Sequence, residues 1–227
     1  MIPVFLGSDK THLTVFAGDK KAWPLYLSIS NIKGRIHNAP SNNAWVLIAY
    51  LPVAQFKKNQ TASEARLFHQ CIAHILEPLV GAGTNGVEMT DSLGCTRSCF
   101  PLVASHIADY PEQTLVAAAG SNNSPVMTAG FYQLGDPQPS PPHTSKWIKA
   151  QIDHALRKAD PENVPAYHKA AKRLQLNDVH KPYWLRLPRY QPELCIGPDI
   201  LHGLICFGWD HILKWIIRLV GKDELSS

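Results

Sequence analysis

The feature that most constrains the fold is an apolar stretch that leads, without an intervening loop, into the start of a helix. Residues 101–108, PLVASHIA, have the composition of a buried strand, and Asp109 follows them directly. Pro111 ends the strand pattern, and Glu112 and Gln113 are typical of a first helical turn. Asp109 is therefore either a helix N-cap or a carboxylate held rigidly at a strand end.

Strand patterns and helix patterns succeed one another along the chain in an informative order. Three strand patterns come first, in residues 2–8, 23–32 and 45–53. An amphipathic helix is predicted over residues 61–80, ended by Gly81 and Gly83, and a hairpin then leads into the strand before Asp109. Later helices are predicted over residues 145–158, 161–174 and about 198–220. This order predicts an α/β protein with a mixed sheet flanked by helices.

The 227 residues provide enough chain for one large domain or two small ones. Residues 1–134 carry the predicted sheet. Residues 135–145 contain four prolines and predict an exposed loop. Residues 146–227 follow as a basic helical segment and an apolar C-terminal helix, which we expect to belong to the same domain.

Two predicted strands end in an aspartate, Asp9 after the first and Asp109 after the fourth. If those strands are neighbours, the two carboxylates converge at one edge of the sheet. Carboxylates in that position repel each other unless a cation lies between them, and hard oxygen ligands favour Mg²⁺ or Mn²⁺. Such a site can support metal-dependent phosphoryl transfer. Asp9 in a strand-end turn is the alternative.

Positive charge is concentrated in one segment of the chain. Residues 1–145 are balanced, whereas residues 146–190 contain ten Lys and Arg against four Asp and Glu. This segment predicts weak, sequence-independent DNA binding, or equally a solvated helical face. The candidate DNA-binding residues are Lys146, Lys149, Arg157, Lys158, Lys172 and Arg173.

Several other classes of site and compartment are disfavoured. Five irregularly spaced cysteines and the lack of a signal sequence predict a nuclear or cytoplasmic protein rather than a secreted one. His69 and His74 lie five residues apart and would face different sides of a helix, which disfavours a metal site. Trp184 could stack on a base or belong to a packed strand. Membrane insertion is disfavoured because charged and histidine residues interrupt the apolar tail, namely Asp199, His202, Asp210, His211, Lys214 and Arg218.

Five motifs occur in the order and spacing of the Plavaka-type transposases, and they extend over most of the chain. They are LGSDKTHLTVF, AWPLYLSISNI, GVEMTDSLG, HIADYPEQ and GPDILHGL. The chain thus resembles these fungal relatives of the cut-and-paste transposases that include the CACTA elements. The resemblance implies a ribonuclease-H-like fold in which three acidic residues bind two metal ions, Mg²⁺ or Mn²⁺.

The resemblance also assigns residues to roles. Asp9 corresponds to the first catalytic acid and Asp109 to the second, so both would be metal ligands. Asp199 and His202 match a family signature near the active centre. Asp199 is the candidate substitute for the third acid, which the family places further downstream.

The chain departs from the family pattern at three places. Where the family has a Cys-Pro-x-Cys element, this chain has Ser124-Pro125-Val126-Met127, so no zinc is expected. The third acid is missing at its usual place, and the segments that precede the first strand are missing too. These departures predict the middle of a transposase catalytic domain, incomplete at the C-terminus and inactive. The alternative is a non-catalytic nucleic-acid-binding or interaction protein derived from a transposon.

Overall fold

A computed structural model describes residues 1–13, 20–54, 61–133, 136–198 and 207–220 of the chain. The strands are β1 (Ile2–Ser8), β2 (Thr11–His12), β3 (Lys21–Ala22), β4 (Pro24–Ile29), β5 (Val46–Tyr50), β6 (Val87–Thr90), β7 (Thr96–Cys99), β8 (Pro101–Ala108) and β9 (Ile196–Pro198). The α-helices are α1 (Gly34–His37), α2 (Thr61–Ile75), α3 (Glu77–Asn85), α4 (Tyr110–Val116), α5 (Ser145–Lys158), α6 (Val164–Lys172), α7 (Pro192–Cys195) and α8 (Phe207–Val220).

The main sheet is mixed and has the strand order β5-β4-β1-β8-β9. Strand β4 is antiparallel to both β1 and β5, whereas β8 is parallel to β1 and β9 is parallel to β8. Two small hairpins, β2–β3 and β6–β7, lie outside this sheet. The prediction of a mixed sheet with flanking helices is therefore confirmed.

The main core lies against one face of the sheet. Val4 and Leu6 alternate with more exposed residues along β1 and are buried, as a half-buried strand requires. Helix α2 contributes Phe68 and Ile72 to the same cluster. Helix α5 contributes Ile148, so the basic helical segment shares a core with the sheet.

The predicted helix over residues 61–80 is in fact two helices, and Gly81 and Gly83 do not end it. Helix α2 stops at Ile75, and Pro78 lies in the first turn of α3, where a missing N–H costs nothing. Gly83 lies inside α3 because the chain packs closely there. A Cβ at this position would lie 2.7 Å from Pro188 Cγ and 2.8 Å from the Pro101 carbonyl oxygen.

The predicted strand around Trp184 is wrong, because Tyr183–Arg186 form a short 3-10 helix. Trp184 is buried, and its Nε1–H donates a 2.7 Å hydrogen bond to the Val116 carbonyl. The indole therefore packs in the core rather than presenting a surface to nucleic acid. Prolines on either side of this turn exclude regular ladder pairing.

His69 is a core residue, in agreement with the expectation that it is not a metal ligand. Its Nδ1 accepts a hydrogen bond from the Tyr183 backbone N–H, and its Nε2–H donates to the Leu115 carbonyl at 2.9 Å. Burial lowers the pKa of His69 to about 4, so the ring is neutral at physiological pH. The side chain thus joins α2 to α4 and to the turn at Tyr183.

Helices α5, α6 and α8 lie within the three helical ranges predicted for the C-terminal part of the chain. The last of these ranges, about 198–220, begins with Pro198 of strand β9, and its residues 199–206 lie outside those described. Thr144 caps α5 by accepting a hydrogen bond from the Trp147 N–H at 3.1 Å, and Asn163 caps α6. Helix α8 is amphipathic and exposes Trp209 and Trp215. Within the described ranges, no helix is long and apolar enough to cross a membrane.

Candidate metal-binding cleft at the strand ends

The first two candidate acids follow neighbouring strands. Strands β1 and β8 run parallel, with Gly7 opposite Ile107, and Asp9 and Asp109 each come two residues after that pair. Parallel strands end at the same edge of a sheet, so both aspartates lie at one edge. They line the same cleft, which has a volume of about 360 Å³.

Asp109 is a helix cap as well as a strand-end acid. Its backbone is extended, and its Oδ1 accepts a 2.9 Å hydrogen bond from the Glu112 N–H in the first turn of α4. The N-cap prediction is therefore confirmed. It is compatible with the alternative, a carboxylate held rigidly at the end of a strand. The cap fixes the side chain in place through Oδ1, and Asp109 is among the residues that line the cleft.

Glu112 carries a buried carboxyl group. The sequence predicted only that this residue lies in the first turn of a helix. Its side chain accepts hydrogen bonds from the Ser8 hydroxyl and, at 3.1 Å, from Trp23 Nε1–H. The pKa of Glu112 is raised to about 7, chiefly by burial and to a smaller extent by the nearby charges of Asp109 and Asp9, against the lowering effect of the two donors. Glu112 therefore lies close enough to both aspartates for their charges to affect its pKa.

One sequence signal for this buried carboxyl was available. Val4, Leu6 and Ser8 alternate along β1 and face the core, so a hydroxyl group occupies an inward position. A buried hydroxyl requires a hydrogen-bonding partner. The sequence could not identify that partner, since Glu112 lies 104 residues further along the chain.

A histidine and a tyrosine extend the polar network beneath the cleft. His106 Nε2 is 2.8 Å from Ser8 Oγ, and His106 Nδ1 is 2.8 Å from the Tyr183 hydroxyl. Burial lowers the pKa of His106 to about 3, so the ring is neutral. Ser8, His106 and Glu112 are all buried, and so they form a structural support for the strand ends rather than an exposed nucleophile with its base.

The donor set of the cleft fits a hydrated hard cation. Mg²⁺ in proteins is commonly held by one or two carboxylates and keeps several of its waters. Asp9 and Asp109 supply such carboxylates. Over the described ranges, no group of three or more His, Cys, Asp or Glu side chains is arranged to hold a metal ion. The described residues therefore provide a two-carboxylate set.

The remaining two candidates, Asp199 and His202, lie outside the described residues. The described chain next to them is informative, however. Strand β9 ends at Pro198, which pairs with Ala108 of β8, and Asp199 is the next residue in the sequence.

Comparison with known proteins identifies the family. A sequence model of the Plavaka transposase family matches residues 1–216, nearly the whole chain. The chain belongs to the Plavaka transposase family. No curated protein and no solved structure matches it. The resemblance drawn from the five motifs is thus confirmed.

The basic residues of this Plavaka chain lie on the two helices after the proline-rich loop. Lys146, Lys149, Arg157 and Lys158 are exposed on α5, and Lys172 and Arg173 are exposed at the end of α6. Lys149 forms a 2.7 Å ion pair with Asp153, which reduces its availability. None of the six lines the cleft at the strand ends.

Residues 124–127, where the resemblance leads us to expect a Cys-Pro-x-Cys element, form a turn that a hydroxyl stabilises. Ser124 is buried, and its Oγ accepts hydrogen bonds from the N–H groups of Val126 and Met127 at 3.3 and 3.1 Å. A serine hydroxyl and a thioether are poor zinc ligands. The hydrogen bonds to Ser124 Oγ stabilise this turn.

Proposed function

We propose that this chain is the catalytic core of a cut-and-paste DNA transposase, with a ribonuclease-H-like fold and a metal-dependent strand-cleavage site. One observation carries the proposal: the neighbouring parallel strands β1 and β8 both lead into aspartates that line one cleft. The sheet order supports the fold assignment, because three antiparallel strands are followed by two strands parallel to the first. Family membership supports the reaction class.

In this proposal Asp9 and Asp109 are the first and second metal-binding acids. A bound Mg²⁺ or Mn²⁺ would supply Lewis-acid activation of the phosphate and of the attacking water or 3′-hydroxyl. Asp109 is preset for this role by its cap to α4. Glu112 lies close to the aspartates, and its raised pKa keeps additional negative charge out of the cleft below about pH 7.

We assign the third acid to Asp199. The sequence alone favoured an inactive chain, because the family's third acid was missing at its usual place. The pairing of β9 with β8 supports a different assignment, since Pro198 lies opposite Ala108 and each is followed by an aspartate. His202 would accompany Asp199 as part of the same signature.

DNA is the proposed substrate and partner, and the exposed cations of α5 and α6 would contact its backbone. Such contacts are sequence-independent. A DNA-processing role is consistent with a nuclear protein, or a cytoplasmic one that enters the nucleus. The proposal includes no zinc, because Ser124 and Met127 stand where the resemblance leads us to expect thiols.

A second candidate is a transposon-derived protein that binds nucleic acid without cleaving it. The observation that favours it is the two-carboxylate set of the described cleft, in which Asp109 Oδ1 is already engaged by the cap. A two-metal reaction needs ligands on both sides of the scissile phosphate. This candidate predicts DNA binding with no metal-dependent turnover.

A strand-cleavage assay separates the two candidates. We expect purified protein to nick or cleave DNA in Mg²⁺ or Mn²⁺, and we expect Asp9→Asn and Asp109→Asn each to lower the rate at least about a hundredfold, since each removes a charged ligand. Asn at position 109 can still cap α4, so the second variant tests charge rather than folding.

Asp136→Asn, which changes an exposed aspartate outside the cleft, is the matched control and should cleave normally. Cleavage that persists in both cleft variants would contradict the proposed site. DNA binding without cleavage in either metal would favour the second candidate.

A further inference from the structure

Two aromatic side chains form one wall of the cleft that holds Asp9 and Asp109. Tyr26 and Trp45 line this cleft together with the two aspartates. Tyr26 lies directly across from Gly7 in the β1–β4 pairing, and 38% of its surface is exposed. The two aspartates and the two aromatic residues thus line the same space.

The ring of Trp45 is held flat against the sheet by specific neighbours. A Cβ at Gly7 would lie 3.3 Å from Trp45 Cζ3, so the absence of a side chain at Gly7 lets the indole rest on β1. His37 packs edge-on against the indole, with 5.2 Å between ring centroids, and its Nε2 is 2.9 Å from Ser28 Oγ. Trp45 is therefore preorganised as a platform.

We propose that this aromatic wall binds one unpaired base of the DNA strand whose phosphate lies at Asp9 and Asp109. The inference rests on the proposed function and adds the form of its substrate: a strand with a base out of the duplex stack. Aromatic rings bind bases through their π-faces, and a base inside a duplex already has both faces covered by its neighbours.

The size and lining of the cleft favour binding of a base, rather than of the DNA sugar-phosphate backbone alone. Its volume of about 360 Å³ is at the small end of the range for ligand pockets, which suits a single nucleotide. Ile107 and Ala108 complete an apolar lining beside the aromatic rings. The residues with polar side chains that face the cleft are Asp9, Asp109 and Tyr26, since the Ser8 hydroxyl faces the core, so stacking dominates and base identity matters little.

The probe for this inference is a pair of DNA duplexes of the same sequence that contain 2-aminopurine, one fully paired and one with the 2-aminopurine nucleotide unpaired as a bulge. Binding is measured in EDTA, so that no cleavage occurs. We expect the wild type to bind the bulged duplex about tenfold more tightly, which corresponds to one stacked base. We also expect 2-aminopurine fluorescence to fall on binding, as it does when this base stacks.

Four variants make the measurement specific. Trp45→Ala and Tyr26→Ala should each reduce the preference for the bulged duplex severalfold, whereas Trp45→Phe should keep most of it because an aromatic face remains. Tyr50→Ala removes an exposed aromatic ring of β5 outside the cleft and should leave the preference unchanged. Circular dichroism identifies any variant that does not fold. Tyr26 is partly exposed and provides the second test if Trp45→Ala is unfolded.

The outcomes separate this inference from the proposed function. Equal affinity of the wild type for the two duplexes, or a preference that survives both Trp45→Ala and Tyr26→Ala, would overturn the aromatic platform even if cleavage were observed. A preference that depends on Trp45 and Tyr26 would support it, even if no metal-dependent cleavage were detected and the proposed reaction had failed.

Discussion

At the scale of single residues, the buried carboxyl of Glu112 has the most direct consequence for stability. Its pKa is raised to about 7 in the folded protein, chiefly by burial, against an ordinary value of 4.5. The folded state therefore holds this proton more tightly than the unfolded state does. Between pH 4.5 and 7 the unfolded state releases it first, so the contribution of Glu112 to the free energy of unfolding falls as the pH rises.

Glu112→Gln tests this effect, because glutamine resembles the protonated acid and can still bond to Ser8 and Trp23. We expect the stability of the variant relative to the wild type to rise by roughly 3 kcal/mol between pH 4.5 and 7, and to rise no further above pH 7. Urea denaturation in EDTA, followed by circular dichroism at a series of pH values, measures the difference.

Comparing the wild type with Glu112→Gln cancels the contribution of the buried histidines to the pH dependence of stability. That contribution has the opposite sign to that of Glu112. Burial lowers the pKa of His69 and of His106, so both make the protein less stable as the pH falls below 6.5. A difference between wild type and Glu112→Gln that stays constant with pH would show that folding does not raise the pKa of Glu112.

Residue roles differed in how well the sequence could predict them. Asp9 and Asp109 could be selected because each follows an apolar strand pattern, and that depends only on local order. Glu112 could not, since its burial depends on contacts with Ser8 and Trp23, which are distant in the sequence. The platform of Trp45 over Gly7 depends on a contact of the same kind.

At the scale of secondary-structure elements, helices α5 and α6 carry the excess charge. Their apolar faces are buried through Ile148, Ile152 and Tyr167, which leaves the cations in solvent. A solvated face and a DNA-binding face look alike in such an arrangement. Salt dependence distinguishes them, because each phosphate that a cation neutralises releases counterions.

We expect DNA affinity to fall steeply with salt and to weaken when the helix cations are reversed. Lys172→Glu with Arg173→Glu should lower the slope of log affinity against log salt by about 2, one for each phosphate that is no longer neutralised. Lys149→Glu should have a smaller effect, since Asp153 already pairs with Lys149. Fluorescence anisotropy with labelled duplex at several salt concentrations provides the slopes.

A control with the same change of charge reverses two exposed cations outside the segment, Lys20 and Lys33. If it lowers the slope as much as the helix variants do, net charge rather than the face of α5 and α6 governs binding. An affinity that does not respond to salt would exclude a DNA-binding face altogether.

Elements with strong local patterns were predictable, and those shaped by distant packing were not. Strands β1, β4, β5 and β8, the β6–β7 hairpin and helix α5 follow apolar periodicity and caps in the sequence, whereas strand β9 was not predicted. The break after Ile75 and the helical Gly83 were not predictable, and the close packing at Gly83 involves Pro188, more than a hundred residues away. The turn at Tyr183 depends on its contacts with His69.

At the scale of the whole molecule, the sheet order brings the site together. Strand β1 pairs with β4 on one side and with β8 on the other, although β8 begins more than ninety residues later. Periodicity alone could not determine this pairing. From the sequence, the two aspartates were expected to lie close together only if their strands were neighbours. Their adjacency at one edge gives the cleft the pair of carboxylates that we propose as ligands of a hydrated Mg²⁺ or Mn²⁺.

The position at which a divalent cation binds decides whether these strand ends form a metal site. Substoichiometric Mn²⁺, added to isotopically labelled protein, broadens NMR signals of nuclei close to the bound ion. We expect selective broadening of the amide signals of Asp9, Asp109 and their neighbours at the ends of β1 and β8, and loss of that broadening in the Asp9→Asn, Asp109→Asn double variant. Broadening that persists in the double variant, or that appears only at exposed acids such as Asp153 and Asp210, would contradict a metal site at these strand ends.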